Sequence, residues 1–314
     1  SYTDTDNSDG SGIEKSFYQV LEYNGAEWRA NNGNGFFSDN FDNAIHPDWT
    51  IVNGAWAINS GYLEQNDEND VNTNIYAPLT QNLSNRYIYN WQGKIDGSGS
   101  NRRAGFHLFC DDASLPNRGN SYLIWLRLDQ SACEFYKVEN DVLVFETTVP
   151  VTINAGQWYD WKVIYDRISG KLDVYQDDAF IGSWTDPLPY ANGNYISFRS
   201  GDCNFMVNDF KVYRSRLSTV TVSVGPASTN DVRYQNPDPY TPSCRVKSIT
   251  MDSAGNLSVL DAQDVNIDWT VPDSFVVNDG TAADIDFSSS FTQLSANWTA
   301  STDSNSGLVK YWYS

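Results

Sequence analysis

The apolar residues of this chain recur at every second position over short runs, and clusters of Asn, Asp, Gly and Ser close each run. Residues 122–128, 158–165, 171–175 and 195–199 show the pattern clearly. A period of two sends successive side chains to opposite faces of a strand. No window carries the i, i+3, i+4, i+7 spacing of an amphipathic helix. The pattern predicts an all-β chain built as a sandwich or jelly roll.

The 314 residues include 40 acidic and 20 basic side chains, a formal charge of -20. There is no basic stripe, so nucleic acid is excluded as a partner. Anionic membrane surfaces are disfavoured on the same ground. No stretch approaches the ~18 apolar residues of a span, so no membrane insertion is expected. No signal peptide precedes Ser1, which points to a mature chain or an excised fragment. Eleven Trp and 14% aromatic residues are foreign to disordered acidic chains. The charge is thus the skin of a folded protein long enough for two or three domains.

Cys110, Cys133, Cys203 and Cys244 show neither a CxxC pair nor Cys/His spacing for zinc. Cys110 and Cys133 each border a predicted strand. One disulfide and free buried thiols are both open.

Four segments follow one another. Residues 1–36 hold an acidic loop from Asp4 to Asp9, then Ser11-Gly12-Ile13, then a strand ending in Phe17-Tyr18-Gln19-Val20. An Asn24-Gly25 hairpin turn leads on to Glu27-Trp28-Arg29. This segment is too short to bury a β core alone. Residues 37–215 open with Asp39-Asn40-Phe41-Asp42 and Trp49 and close with Val207-Asn208-Asp209-Phe210. The candidate strands between suffice for a two-sheet jelly roll. Residues 216–270 carry predicted strands at 219–224, 245–250 and 264–269, with a turn at 252–258 whose Gly255 and Asn256 suit positive φ. Residues 271–314 carry a predicted strand at 294–298 and a turn at 303–307. Thr302-Asp303 and Ser306-Gly307-Leu308 echo Thr5-Asp6 and Ser11-Gly12-Ile13. This repetition predicts a piece of a longer modular protein, partnered by its other domains.

The Asp-rich turn before Ser11-Gly12-Ile13, the Tyr18-x-Val20 hairpin and the Asp252-x-Ala254-Gly255-Asn256-x-Ser258 turn resemble bacterial surface Ig-like modules. In such modules the two motifs belong to one domain. Here the resemblance implies an Ig-like domain split between 1–36 and 216–270, with 37–215 inserted at a loop. The inserted block resembles concanavalin A-like, laminin-G-like jelly rolls through Phe41-Asp42, Trp49, Gly54-x-Trp56, Gly61-x-Leu63 and Val207–Phe210. Residues 271–314, with Trp298 and Tyr311, are similar to the first half of a fibronectin-III-like domain. The assemblage resembles secreted or cell-surface proteins of Bacteroidetes-type bacteria.

Enzymes among such jelly rolls set the test for catalysis. Retaining hydrolases need two carboxylates about 5–5.5 Å apart, which a strand supplies with alternating acids such as Glu-x-Asp-x-x-Glu. No strand has them. The acids from Glu64 to Asp70 have the wrong spacing and read as a loop, and Glu139-Asn140-Asp141 reads as a β turn. The lyases of this fold imply Arg, Gln, His and Tyr on strands, yet no Gln-x-His precedes His107. His46 stands beside Pro47 and reads as a turn residue. There is no Gly-x-Ser-x-Gly elbow and no phosphate-binding loop. A non-enzymatic role is expected.

Sugars are held on aromatic faces by a few polar groups. Alternation puts Arg103, Gly105 and His107 on one face, with Leu123, Trp125 and Arg127 of a neighbouring strand beside them. Trp91, Tyr136 and Arg199 are candidates near them. Polar and aromatic residues so mixed predict an open concave face and a ligand site. The opposite set, Phe106, Leu108, Ile124, Leu126 and Leu128, predicts inter-sheet core. Asp39, Asp42 and Asp209 lie on the first and last strands of the block, where the resemblance implies a structural Ca²⁺; solvated acidic loops are the plain alternative. The sequence therefore predicts a non-catalytic carbohydrate-binding or adhesive module of a secreted or cell-surface bacterial protein, with a polysaccharide or glycan as partner. A structural spacer of a larger adhesin or secreted enzyme, and a polysaccharide hydrolase or lyase, are the alternatives.

Overall fold

The computed structural model of the protein describes residues 4–23, 26–217, 220–223, 244–265, 268 and 271–312. Strands and turns dominate, and two 3-10 helices occur among the described residues. No described helix is long and apolar enough to cross a membrane. The fold is the all-β jelly-roll sandwich that the alternation predicts.

Two antiparallel sheets pack face to face. The larger runs, in spatial order, through Ala179–Thr185, Lys171–Gln176, Trp158–Asp166, Arg86–Asp96, Asn204–Arg216, Ile13–Tyr23, Cys244–Asp252 and Asp261–Val265. The smaller runs through Val142–Pro150, Ala132–Glu139, Ser121–Arg127, Arg103–Cys110, Tyr195–Gly201, Asn74–Pro78 and Thr50–Asn53. Two-residue turns join hairpins where the sequence offers acids. Asn140 and Asp141 have φ of 50° and 63°, and Asp177 and Asp178 have 50° and 67°. Positive φ at both positions matches the right-handed strand twist, and Asn and Asp tolerate it.

The core lies between the sheets. Tyr87, Tyr89, Trp91 and Phe210 of the larger meet Phe106, Leu108, Ile124, Leu126 and Phe198 of the smaller, and Leu128 closes the rim. Burying such side chains contributes roughly 1.5–3 kcal/mol each. Trp91 is therefore a core residue and not a ligand residue: it is fully buried, on the opposite sheet from the other candidates, 5.2 Å from the Phe106 ring. Its strand alternates, with Tyr87, Tyr89, Trp91 and Ile95 turned to the core and Arg86, Asn90, Gln92 and Lys94 to the outer face. Ile88, on the outer face, packs with Ile164 and Tyr213 against Phe17, Ile249 and Met251.

That outer packing ties the flanking segments to the block. Ile13–Tyr23 pairs with Cys244–Asp252 from Ile13 opposite Asp252 to Glu22 opposite Cys244. Its Ser16–Tyr18 stretch also pairs with Arg214–Arg216. The buried Gln19 amide donates to the carbonyls of Phe37 (2.6 Å) and Val212 (3.2 Å), which are themselves paired across the first and last strands of the block. The predicted strand 245–250 is observed as Cys244–Asp252, and Gly255 in the following turn has φ of 90°. The Asn24-Gly25 turn lies outside the described residues, as do the ends of the predicted strand 219–224; residues 220–223 form no strand. Of the predicted strand 264–269, residues 266, 267 and 269 lie outside, and the observed strand is Asp261–Val265. Past Pro272, Val277–Asp279 pairs with Ala296–Trp298 as a separate two-stranded sheet.

All four cysteines are buried free thiols, so of the two possibilities the disulfide is the one not formed. Burial pushes the thiols of Cys110 and Cys203 up to about 12. The thiolate is the reactive species, so a thiol reagent at neutral pH should label none of them in the folded protein and four in denaturant. Rapid labelling of a native thiol would contradict this burial.

Candidate functional site

The register of the smaller sheet assembles the site row by row on the face turned away from the core. One row reads Arg199, Gly105, Trp125, Glu134 across four strands. The next reads Ser197, His107, Leu123, Tyr136, and the third sets Arg103 opposite Arg127. Gly105 matters most. A Cβ there would lie 2.1 Å from the Ile124 carbonyl oxygen and 2.8 Å from the Trp125 ring. Without one, the Arg199 guanidinium reaches across the gap and sits 5.3 Å from the Trp125 ring centroid.

A groove of about 250 Å³ opens on this face. It is lined by Arg103, Trp125, Arg127, Tyr136 and Arg199, with Asn101, Leu123 and Leu143. Sequence reasoning named the first five as ligand residues. It missed Asn101 and Leu143, and also Phe145, which shares a strand face with Leu143 and meets the Tyr136 ring edge-on at 5.5 Å. Phe145 is 52% exposed. Trp125, by contrast, is 5% exposed under Arg199, so it is not a free stacking platform. The open aromatic ledge is Tyr136 with Phe145.

Hydrogen bonds hold the groove's polar groups. Arg127 donates to Glu134 Oε2 and Asn101 Oδ1, both at 2.9 Å, and the Tyr136 hydroxyl donates to the same Glu134 oxygen at 2.9 Å. Burial and the Glu134 carboxylate hold the Tyr136 phenol above its ordinary range. Arg103 donates to the Asn101 carbonyl at 2.7 Å, and Arg199 to Asn117 Oδ1 at 3.0 Å. Burial, with Arg103 nearby, lowers Arg199 to about 10, which leaves it charged at neutral pH.

His107 shares the face but is fully buried beneath the groove. Its Nδ1 is 3.1 Å from Ser121 Oγ. Burial, then Arg118 and Arg199, push its pKa well below the ordinary value, so the imidazole is neutral. It is a structural residue and not a ligand contact. What covers it is Arg118, delivered by the loop 113–119 and itself 0% exposed. Arg118 donates to Ser197 Oγ, Asn72 Oδ1 and the carbonyls of Pro116, Thr73 and Phe198.

Asp39, Asp42 and Asp209 are the aspartates expected at a Ca²⁺ site. The first and last strands of the block are neighbours, with Asp39 opposite Phe210, but the three aspartates do not converge. Asp39 is buried, and its carboxylate accepts the Phe41 backbone N–H at 3.0 Å and the Trp49 indole N–H at 2.9 Å, with Arg29 3.7 Å away. Asp209 sits on a bulge with φ of 49° and pairs with Lys211. Asp42 is exposed and accepts from Asn40. Among the described residues, no group of three His, Cys, Asp or Glu could hold a metal ion.

A larger cavity, about 350 Å³, lies between Lys171–Gln176 and the turn at 252–256. Its charges are paired: Arg86 with Glu14 and Asp166, Lys171 with Asp173, and Asp178 with Lys162 outside the lining. It has the character of a junction between segments.

No protein-family model matches the sequence, and no curated protein matches it. Solved structures do. The carbohydrate-binding module CBM66 from Bacillus subtilis is similar with a TM-score of 0.45 and 18% identity, over 52% of this chain and 93% of that one. The Emp46p carbohydrate recognition domain in its potassium-bound form gives 0.46 and 12%, over 60% and 100%. A Bacillus licheniformis β-glucanase gives 0.43 and 13%, over 58% and 99%. These are likenesses of fold, and no functional residue is carried over from them.

Proposed function

We propose that the outer groove of the smaller sheet binds carbohydrate and that the chain is a non-catalytic module. The observation that carries this is the pairing of an open aromatic ledge, Tyr136 and Phe145, with the guanidiniums of Arg103, Arg127 and Arg199 and the amide of Asn101. Ring faces suit the C–H surface of a sugar, and fixed donors suit its hydroxyl oxygens. Glu134, the carboxylate bonded to the groove's Arg127, is also held by Tyr136, which supports a binding role over acid–base work. We read residues 1–36 and 216–270 as one Ig-like domain carrying 37–215, and 271–314 as the start of a fibronectin-III-like domain. Pairing of Ile13–Tyr23 with Cys244–Asp252 across the block supports the first part of that division. An acidic surface rich in Asp and Asn turns suits a secreted or cell-surface bacterial protein with an adhesive role.

A glycan array probed with the full chain tests the binding. At least one glycan should be retained, and Phe145→Ala should weaken it about tenfold, the ~1.4 kcal/mol at the upper end of an aromatic contact. Its melting temperature should not change, because Phe145 is half exposed. An empty array removes the proposal.

A further inference from the structure

We infer that the groove selects an anionic saccharide, one bearing carboxylate or sulfate groups. This rests on the carbohydrate reading above and goes further by naming the ligand's charge. In a chain of net charge -20, the lining of this groove holds three arginines and no acid. Arg118 lies fully buried behind them. One carboxylate, that of Glu134, bonds to this set, through Arg127. The other three guanidiniums have neutral partners: Arg103 the Asn101 carbonyl, Arg199 the Asn117 amide oxygen and the Trp125 ring, and Arg118 amide, hydroxyl and carbonyl oxygens. Among the described residues, none of these three has a carboxylate within ion-pair distance, although Asp70, Asp141 and Asp202 act on them from further away.

Arg199 is 8% exposed, and its Nε has no hydrogen-bond partner among the described residues; nor has the buried Nε of Arg127. Burying a cation without a counter-charge is costly, and so is burying a donor without an acceptor. A carboxylate or sulfate in the groove relieves both. Planar guanidiniums match either anion with paired N–H donors. A neutral sugar offers hydroxyls, which leave the charge uncompensated. The groove's volume suits one or two sugar rings with their charged substituents.

The test is a titration of the full chain with four polymers: polygalacturonate, dextran sulfate, plain dextran and a neutral β-glucan. Expected is binding to polygalacturonate or dextran sulfate at least about tenfold tighter than to either neutral polymer, weakening as salt is raised. The first two arms separate carboxylate from sulfate. Arg103→Gln should cut the anionic binding at least about tenfold, the effect of one charge-assisted pair. Arg103 is partly exposed and bonds a single loop carbonyl, so this variant should melt like the parent; Arg199→Gln is the second variant. Equal binding of dextran and dextran sulfate, or anionic binding unchanged by both variants, overturns the inference. Binding confined to neutral polymers overturns it while leaving the carbohydrate reading standing. Binding to no polymer and no arrayed glycan overturns both.

Discussion

Arg118→Ala is expected to destabilise the protein by about 3 kcal/mol, the net of lost charge-assisted bonds and relieved charge burial. The side chain donates to five oxygens from three segments: Asn72 and Thr73, Pro116, and Ser197 with Phe198. Each bond to a charged donor is worth roughly 1.5–3 kcal/mol. Against this stands the cost of a buried guanidinium, several kcal/mol, which the substitution removes. The hydrogen bonds and the cavity left behind outweigh it, because Thr73 loses a donor at 2.6 Å in a site closed to water. At roughly 2–4 °C per kcal/mol for a domain of this size, the melting temperature should fall by roughly 6–12 °C. An unchanged melting curve would mean that the loop 113–119 is not anchored as described.

Trp91→Ala should cost about as much or more, roughly 3–5 kcal/mol, the usual penalty for deleting a fully buried large aromatic. Its ring contacts Phe106 and Phe198 across the sheet interface. This variant also separates two roles. A ligand residue, once removed, lowers affinity and leaves the melting temperature alone; Trp91 should do the reverse in any preparation that still folds. A stable Trp91→Ala protein with impaired glycan binding would return it to the site.

The legibility of this fold followed the parity of its strands. In Arg103–Cys110 and Ser121–Arg127 one face is dry and the other mixed, so alternation alone separated Phe106, Ile124 and Leu126 from Arg103, Trp125 and Arg127. Arg86–Asp96 alternates too, with Tyr87, Tyr89 and Trp91 toward the core, but alternation alone does not say on which sheet a strand lies, and Trp91 lies across the core from the groove. Strand adjacency was legible for Asp39 and Asp209, but side-chain direction was not: a bulge turns Asp209 toward Lys211, and an indole claims Asp39. His107 was assigned to the right face, yet its cover arrives from Arg118, eleven residues on, through a backbone with φ of 69°. Phe145 escaped notice for a similar reason. A register shift at Phe135/Tyr136 resets the pairing of its strand, and Val142, Leu143, Val144 and Phe145 show no alternation.

The pairing of the flanking strands also sets how the chain would carry mechanical tension. Phe37 is paired with Val212, so residues 37 and 212 lie side by side. A pull on the chain enters at Ile13, passes through the pairing with Cys244–Asp252 and leaves by Asp261–Val265, which runs parallel to the first strand. The two loaded strands are drawn in opposite directions along their length, so their hydrogen bonds are sheared together and not unzipped singly. Residues 37–212 form a closed loop beside that line of force.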